Sequence, residues 1–127
     1  GFDTNLNYNN NYRFYRVAEA YLNAAELLLE TGGDAGLAKD YVNKIRRRAG
    51  IAELGAVTLD DVINERHLEF VGEGKRYFDL VRTGKAATVL VPDSYGYRTN
   101  SWTESKKYIP IAQAELDSDP ALVQNNY

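Results

Sequence analysis

One stretch constrains this chain more than any other: residues 64–84, NERHLEFVGEGKRYFDLVRTG. It sets seven acids and arginines (Glu65, Arg66, Glu69, Glu73, Arg76, Asp79, Arg82) among Phe70, Val71, Tyr77, Phe78, Leu80 and Val81. A surface helix normally sorts those two classes onto two faces. With Leu59 at zero and about 100° per residue, Ile63 and Phe70 define an apolar face. Arg66 falls at its centre, and Glu69 and Glu73 fall at its edge beside Val62. An arginine and two glutamates thus point where a core belongs. A buried charge costs several kcal/mol, on that order, unless it is paired and hydrogen-bonded. The stretch must therefore be either a structural ion-pair lattice or an active site.

Arginine spacing favours the lattice. Arg66 stands three residues before Glu69, Arg76 three before Asp79, and Asp79 three before Arg82. Carboxylates held by arginine have lowered pKa values and make poor general acids. The expected pairing is Arg66 and Arg76 clamping Glu69 and Glu73, with Asp79 bridging to Arg82. A carboxylate-pair glycoside hydrolase would draw on Glu65, Glu69, Glu73 and Asp79. No GxSxG, P-loop, GxGxxG or HExxH pattern is present, and the reading is of a protein that is not an enzyme.

Composition excludes further classes. A net charge of −3 over 127 residues, with no basic stripe, argues against nucleic acid. Arg46, Arg47 and Arg48 read as cations favoured at a helix C-terminus. With no cysteine and one histidine, neither a thiolate nor a histidine metal site can be built, and no metal or cofactor is expected. His67 lies off the apolar face and reads as half-exposed. No signal peptide or membrane-spanning run is present.

In order along the chain, residues 1–11 form an Asn-rich lead-in without a period. A helix follows over 13–30, with a narrow polar stripe of Arg13, Arg16, Glu19, Asn23, Glu26 and Glu30. So thin a stripe predicts a helix covered on most sides. Asp34 caps a second helix over 35–49, whose apolar face is Ala38, Tyr41, Val42, Ile45 and Ala49. The short link predicts antiparallel packing. Thr58 opens a third helix over 59–73, and a fourth spans 75–83. Residues 89–107 are a long loop and 108–127 a tail, with one helical turn at 112–116, packed down through Leu122, Val123 and Tyr127. The fold class is all-α in a single domain, 1–127. The first pair resembles a tetratricopeptide unit: Leu22, Ala25 and Leu29 stand at first-helix spacing and Ala38, Val42 and Ile45 at second-helix spacing, although Glu26 replaces the small residue expected there.

Loops this long are usually functional or disordered. Tyr95, Tyr97 and Trp102, with Arg98 and Asn100 between them, have the ingredients of a sugar surface. Aromatic rings offer flat apolar platforms, and Arg and Asn supply hydrogen bonds to hydroxyls. The alternative is that these aromatics anchor the loop onto the helices.

Five segments taken in order resemble the C-terminal part of the SusD/RagB family: YRFYRVAEAYLNAAELLLETG, NKIRRRAG, the 64–84 stretch, YIPIAQAEL and QNNY. The likeness runs from Tyr12 to Tyr127. The family's ER…E…EG.R..DL.R.G block is met by Glu65, Arg66, Glu69, Glu73, Gly74, Arg76, Asp79, Leu80, Arg82 and Gly84. Lys75 stands where His is common, Thr83 where Trp is common, and Ala112 replaces a proline. The terminal QNNY departs from the usual QNPGY-like ending. The resemblance implies tetratricopeptide-like helix pairs and non-catalytic capture of an oligosaccharide or polysaccharide. It also implies a SusC-like TonB-dependent transporter as partner. It places the protein at the outer membrane, facing outward and lipid-anchored through a missing N-terminal segment, with this chain as a C-terminal fragment. The competing reading is a tetratricopeptide-like interaction scaffold without a sugar site.

Overall fold

The computed structural model describes residues 14–125. Every regular element among them is helical, as the periodicities imply. The chain forms two compact units, one ending at Val71 and one beginning at Gly72, where the sequence reads as one domain. The break falls at Gly72 and Gly74, with φ of 80° and 71°. That region is open to glycine at little cost, and it also ends the third helix early.

In the first unit, α1 (Val17–Glu30) and α2 (Ala35–Ala49) form the expected antiparallel hairpin. Arg16 is the N-cap, so α1 begins after Arg13, which lies outside the described residues, as does the Asn-rich lead-in. Asp34 caps α2 by accepting the Leu37 amide at 3.0 Å, and Gly50 closes it. Leu22, Ala25, Ala38, Val42 and Ile45 are buried in the seam, while Ala49 is exposed. Each fully buried Leu or Val contributes about 1.5–3 kcal/mol.

The link from α2 doubles back along the helix it has just left. Asn43, buried on α2, donates to the Leu54 carbonyl at 3.0 Å and accepts the Leu54 amide at 2.9 Å. Arg46 Nε reaches the Ala52 carbonyl at 2.7 Å. The helix α3 (Leu59–Glu69) therefore starts beside the body of α2, and it runs in the same direction, since Arg46 meets Glu65 and Arg48 meets Glu69 further along both helices. The sequence reading extends it to 73, but it ends at Phe70, two residues before the first left-handed glycine. Its apolar face is also turned: Val62, Ile63 and Phe70 are buried, but Leu59 is 38% exposed.

A reciprocal capping box starts α3. The Asp61 amide donates to Thr58 Oγ1 at 3.2 Å, and the Thr58 amide donates to Asp61 Oδ2 at 2.8 Å. The Thr58 side-chain and backbone donors hold the Asp61 carboxyl below its ordinary value, against slight desolvation and with help from Arg46. We expect Thr58→Ala to lower stability by about 1 kcal/mol, read as a shifted denaturant midpoint. An unchanged midpoint would show that the linker alone fixes the start of α3.

The second unit holds α4 (Arg76–Arg82), α5 (Ala86–Val89), a 3₁₀ turn at Glu104–Lys107, and α6 (Gln113–Ser118). Helix α5 and the 3₁₀ turn bracket what the sequence reads as one uninterrupted loop. Leu80 and Ala86 are its buried apolar residues among those described, so backbone and side-chain hydrogen bonds must carry more of the unit. The tail does not pack through its apolar residues: Leu122 is 40% and Val123 81% exposed, and Tyr127 lies outside the described residues. Gln124 holds the tail instead. It donates to the Ile111 carbonyl at 2.9 Å and accepts the Ile111 amide at 3.1 Å. Those bonds need an amide side chain, which an apolar pattern cannot signal.

Candidate functional site

The candidate residues lie on two surfaces: the charged face of α3 and the aromatic loop. On α3, Arg66 is 4% exposed. Its Nη1 donates to Asn23 Oδ1 at 2.5 Å, its Nη2 lies 3.8 Å from Glu19 Oε1, and its guanidinium sits 5.3 Å from the Phe70 ring centre. Glu65 is buried and accepts Arg46 Nη1 at 2.7 Å. Glu69 takes Arg16 from one side and Arg48 from the other, with Arg48 Nη2 at 2.6 Å from each carboxylate oxygen.

The carboxylates of α3 are therefore held from α1 and α2, and the expected Arg66 clamp on Glu69 gives way to Arg16 and Arg48. Two signals were in the sequence. The polar stripe of α1 turns inward, with Glu19 and Glu26 buried while Val17 and Leu27 are exposed. The Arg46–Arg48 cluster supplies cations to α3 and, through Arg47 at 2.9 Å, to Glu53. In the second unit, Asp79 is buried and accepts Arg82 Nη2 at 2.8 Å and Nε at 3.1 Å. Glu73 and Arg76 are half-buried in that unit. His67 is exposed, and no metal-binding cluster of His, Cys, Asp or Glu occurs among the described residues.

The loop is a different kind of surface. Asp93 organises its tip. Its Oδ1 accepts the amides of Tyr95 at 2.8 Å and Tyr97 at 3.2 Å, and its Oδ2 accepts that of Arg98 at 2.6 Å. The Asp93 amide in turn donates to the Arg98 carbonyl at 3.0 Å. Desolvation raises the Asp93 carboxyl, but the backbone donors of Arg98, Tyr95, Tyr97 and Gly96 outweigh it and hold the group below its ordinary value. The turn presents Tyr95 and Tyr97 outward, 83% and 92% exposed, with ring centres 6.4 Å apart. The two rings, held exposed on a tied turn, present flat apolar faces with polar tips.

Behind the turn lies an open pocket of about 220 Å³. Tyr77, Leu90 and Trp102 give it apolar walls, and Arg98, Asn100 and Lys106 give it polar ones. The structure thus brings Arg98, Asn100 and Trp102 to one hollow, with Tyr95 and Tyr97 on the turn that contains Arg98. Tyr77 and Lys106 escape the sequence reading, because Tyr77 sits in the charged stretch and Lys106 in a polar run. Their link is a hydrogen bond from the Tyr77 hydroxyl to the Lys106 carbonyl. The Trp102 amide donates to the Leu90 carbonyl at 3.0 Å. Its indole Nε1–H is buried without a partner among the described residues.

The model of the SusD family matches residues 1–127. Among solved structures, surface glycan-binding protein A from Bacteroides uniformis is 68% identical, with a TM-score of 0.88 over 98% of this chain and 29% of that one. The same-named protein from Bacteroides thetaiotaomicron, in complex with laminarihexaose, is 61% identical, with a TM-score of 0.86 over 98% of this chain and 27% of that one. The starch-binding protein SusD of Bacteroides thetaiotaomicron is 34% identical over 87% of this chain, which spans only 20% of that protein.

Proposed function

The chain belongs to the SusD family, and on that premise we propose that the intact protein captures an oligosaccharide without cleaving it. The observation that carries this reading is the 61% identity to a solved protein bound to laminarihexaose, which aligns over 98% of this chain. We take laminarihexaose as the first ligand to test. Tyr95, Tyr97 and Trp102 supply ring platforms, and Arg98 and Asn100 supply hydrogen bonds to hydroxyls. The carboxylates of α3 support the non-catalytic half of the proposal, because Glu65 and Glu69 are occupied by arginines. In this proposal the protein sits outward-facing and lipid-anchored at the outer membrane and delivers the glycan to a SusC-like TonB-dependent transporter. Family membership is the support for that assembly.

Titration calorimetry of laminarihexaose into the intact protein tests the reading. A stacked ring contributes about 0.5–1.5 kcal/mol, so the double variant Tyr95→Ala/Tyr97→Ala should bind roughly tenfold more weakly. Full affinity in that variant would move the sugar contact to another surface. No binding of laminarihexaose or other glucans by the unaltered protein would end the capture reading.

A second reading, a tetratricopeptide-like interaction scaffold, draws on the outer face of α1, where Val17 is 68% and Leu27 60% exposed. It expects glycan binding to be absent and a protein partner to protect that face from labelling.

A further inference from the structure

The pocket behind the aromatic turn is unbalanced in charge. Two cationic residues, Arg98 and Lys106, line it, and no carboxylate does. The acids of the flanking segments are elsewhere: Glu104 is outside the lining, and the oxygens of Asp93 are taken by backbone amides. Arg98 spends one long contact on the Val89 carbonyl at 3.4 Å, and Lys106 Nζ donates to the Ser101 carbonyl at 2.6 Å. A guanidinium has five N–H donors and an ammonium three, so most of their capacity stays open. Neither makes an ion pair among the described residues. This differs from the first unit, where Arg16, Arg46, Arg47 and Arg48 all meet carboxylates. The apolar part of the lining, Tyr77 and Trp102, suits a ring. The volume of about 220 Å³ is below the roughly 300–1,000 Å³ of pockets for drug-sized ligands and holds one ring.

We infer that this pocket is a subsite for a sugar ring carrying an oxyanion, either a uronic acid carboxylate or a sulfate ester. Arg98 and Lys106 hold the charge, Asn100 bonds a hydroxyl, and Tyr77 and Trp102 flank the ring. The inference rests on the capture reading and narrows it: Arg98, Asn100 and Trp102 take a ring in this hollow, and Arg98 with Lys106 favours one that carries an acidic substituent over a neutral one.

The test is calorimetry on the intact protein with glucuronic acid, glucose 6-sulfate, glucose and inorganic sulfate, at low and raised salt, beside laminarihexaose. Hydrogen bonds to charged groups predict that at least one acidic sugar binds about ten- to a hundredfold more tightly than glucose. That preference should shrink as salt rises. The carboxylate and sulfate arms show which source the pocket takes. Lys106→Gln and Arg98→Gln should each erase most of the preference, with melting curves confirming that both variants fold. Glucose binding as well as both acids, or inorganic sulfate binding as well as the acidic sugars, overturns the inference. Laminarihexaose binding in those two cases leaves the capture reading standing. If neither laminarihexaose nor any acidic sugar binds, both readings fall together.

Discussion

Arg66→Ala is expected to destabilise the first unit by about 3–5 kcal/mol, the range for removing one member of a buried charged group. Arg66 is 4% exposed and sits between α1 and α3, where it meets Asn23, Glu19 and the face of Phe70. Truncation leaves the buried Glu19 without its nearby guanidinium and opens a gap beside Phe70. Two controls separate charge from volume. Arg66→Met fills the space but still deprives the buried Glu19 of the Arg66 guanidinium, so it should cost nearly as much. Arg66→Met combined with Glu19→Gln removes both charges and should recover a large part of the loss, because a buried pair replaced as a pair is often close to neutral. Denaturant unfolding reads all three. A midpoint unmoved by Arg66→Ala would mean that the Arg66 guanidinium adds nothing net and that α3 is held by its apolar contacts and the Glu65 and Glu69 ion pairs.

The sequence already showed that charge enters the core, because Arg66 lies between Ile63 and Phe70 on the wheel. It did not show where the partners come from. Spacing along one helix finds only neighbours at i+3 and i+4, and it found Asp79–Arg82, which forms. Arg16–Glu69 and Arg48–Glu69 join residues 53 and 21 positions apart. They depend on the linker that folds back along α2, and that path is tied down by the side chains of Asn43 and Arg46. Helix α2 was legible to the residue because Asp34 and Gly50 are strong local stops. Helix α3 stops at Phe70, short of Gly72 and Gly74, where the charge-and-apolar pattern carries it on to 73. In the loop, the residues Tyr95, Tyr97, Arg98, Asn100 and Trp102 stood out by type. Their division into an exposed turn and a pocket follows from Asp93, whose role is visible only once its three amide partners are in place.

Asp93→Ala is expected to weaken glycan binding by the loop by about tenfold or more while leaving the first unit intact. Asp93 touches no proposed ligand position. It acts by tying the amides of Tyr95, Tyr97 and Arg98 to one carboxylate, so that two rings and a guanidinium are placed before the ligand arrives. Without it the turn must be ordered at the expense of affinity, since fixing mobile groups is part of what association costs. Asp93→Asn keeps an oxygen acceptor but loses the charge and one acceptor oxygen, and should fall between the two.

The pH dependence has a definite sign. The folded carboxyl is held below its ordinary value, so the ties are at full strength above about pH 4. They fail only as pH falls through the depressed folded value. Binding should therefore be flat from about pH 5 to 8 on account of this group and drop in acid, and the acid drop should vanish in Asp93→Asn. Amide exchange at residues 95, 97 and 98 provides the companion readout. Exchange that quickens in Asp93→Ala with affinity unchanged would show that the turn is built by Asp93 but is not where the sugar rests. In that outcome the pocket lined by Trp102 and Lys106 would become the place to look.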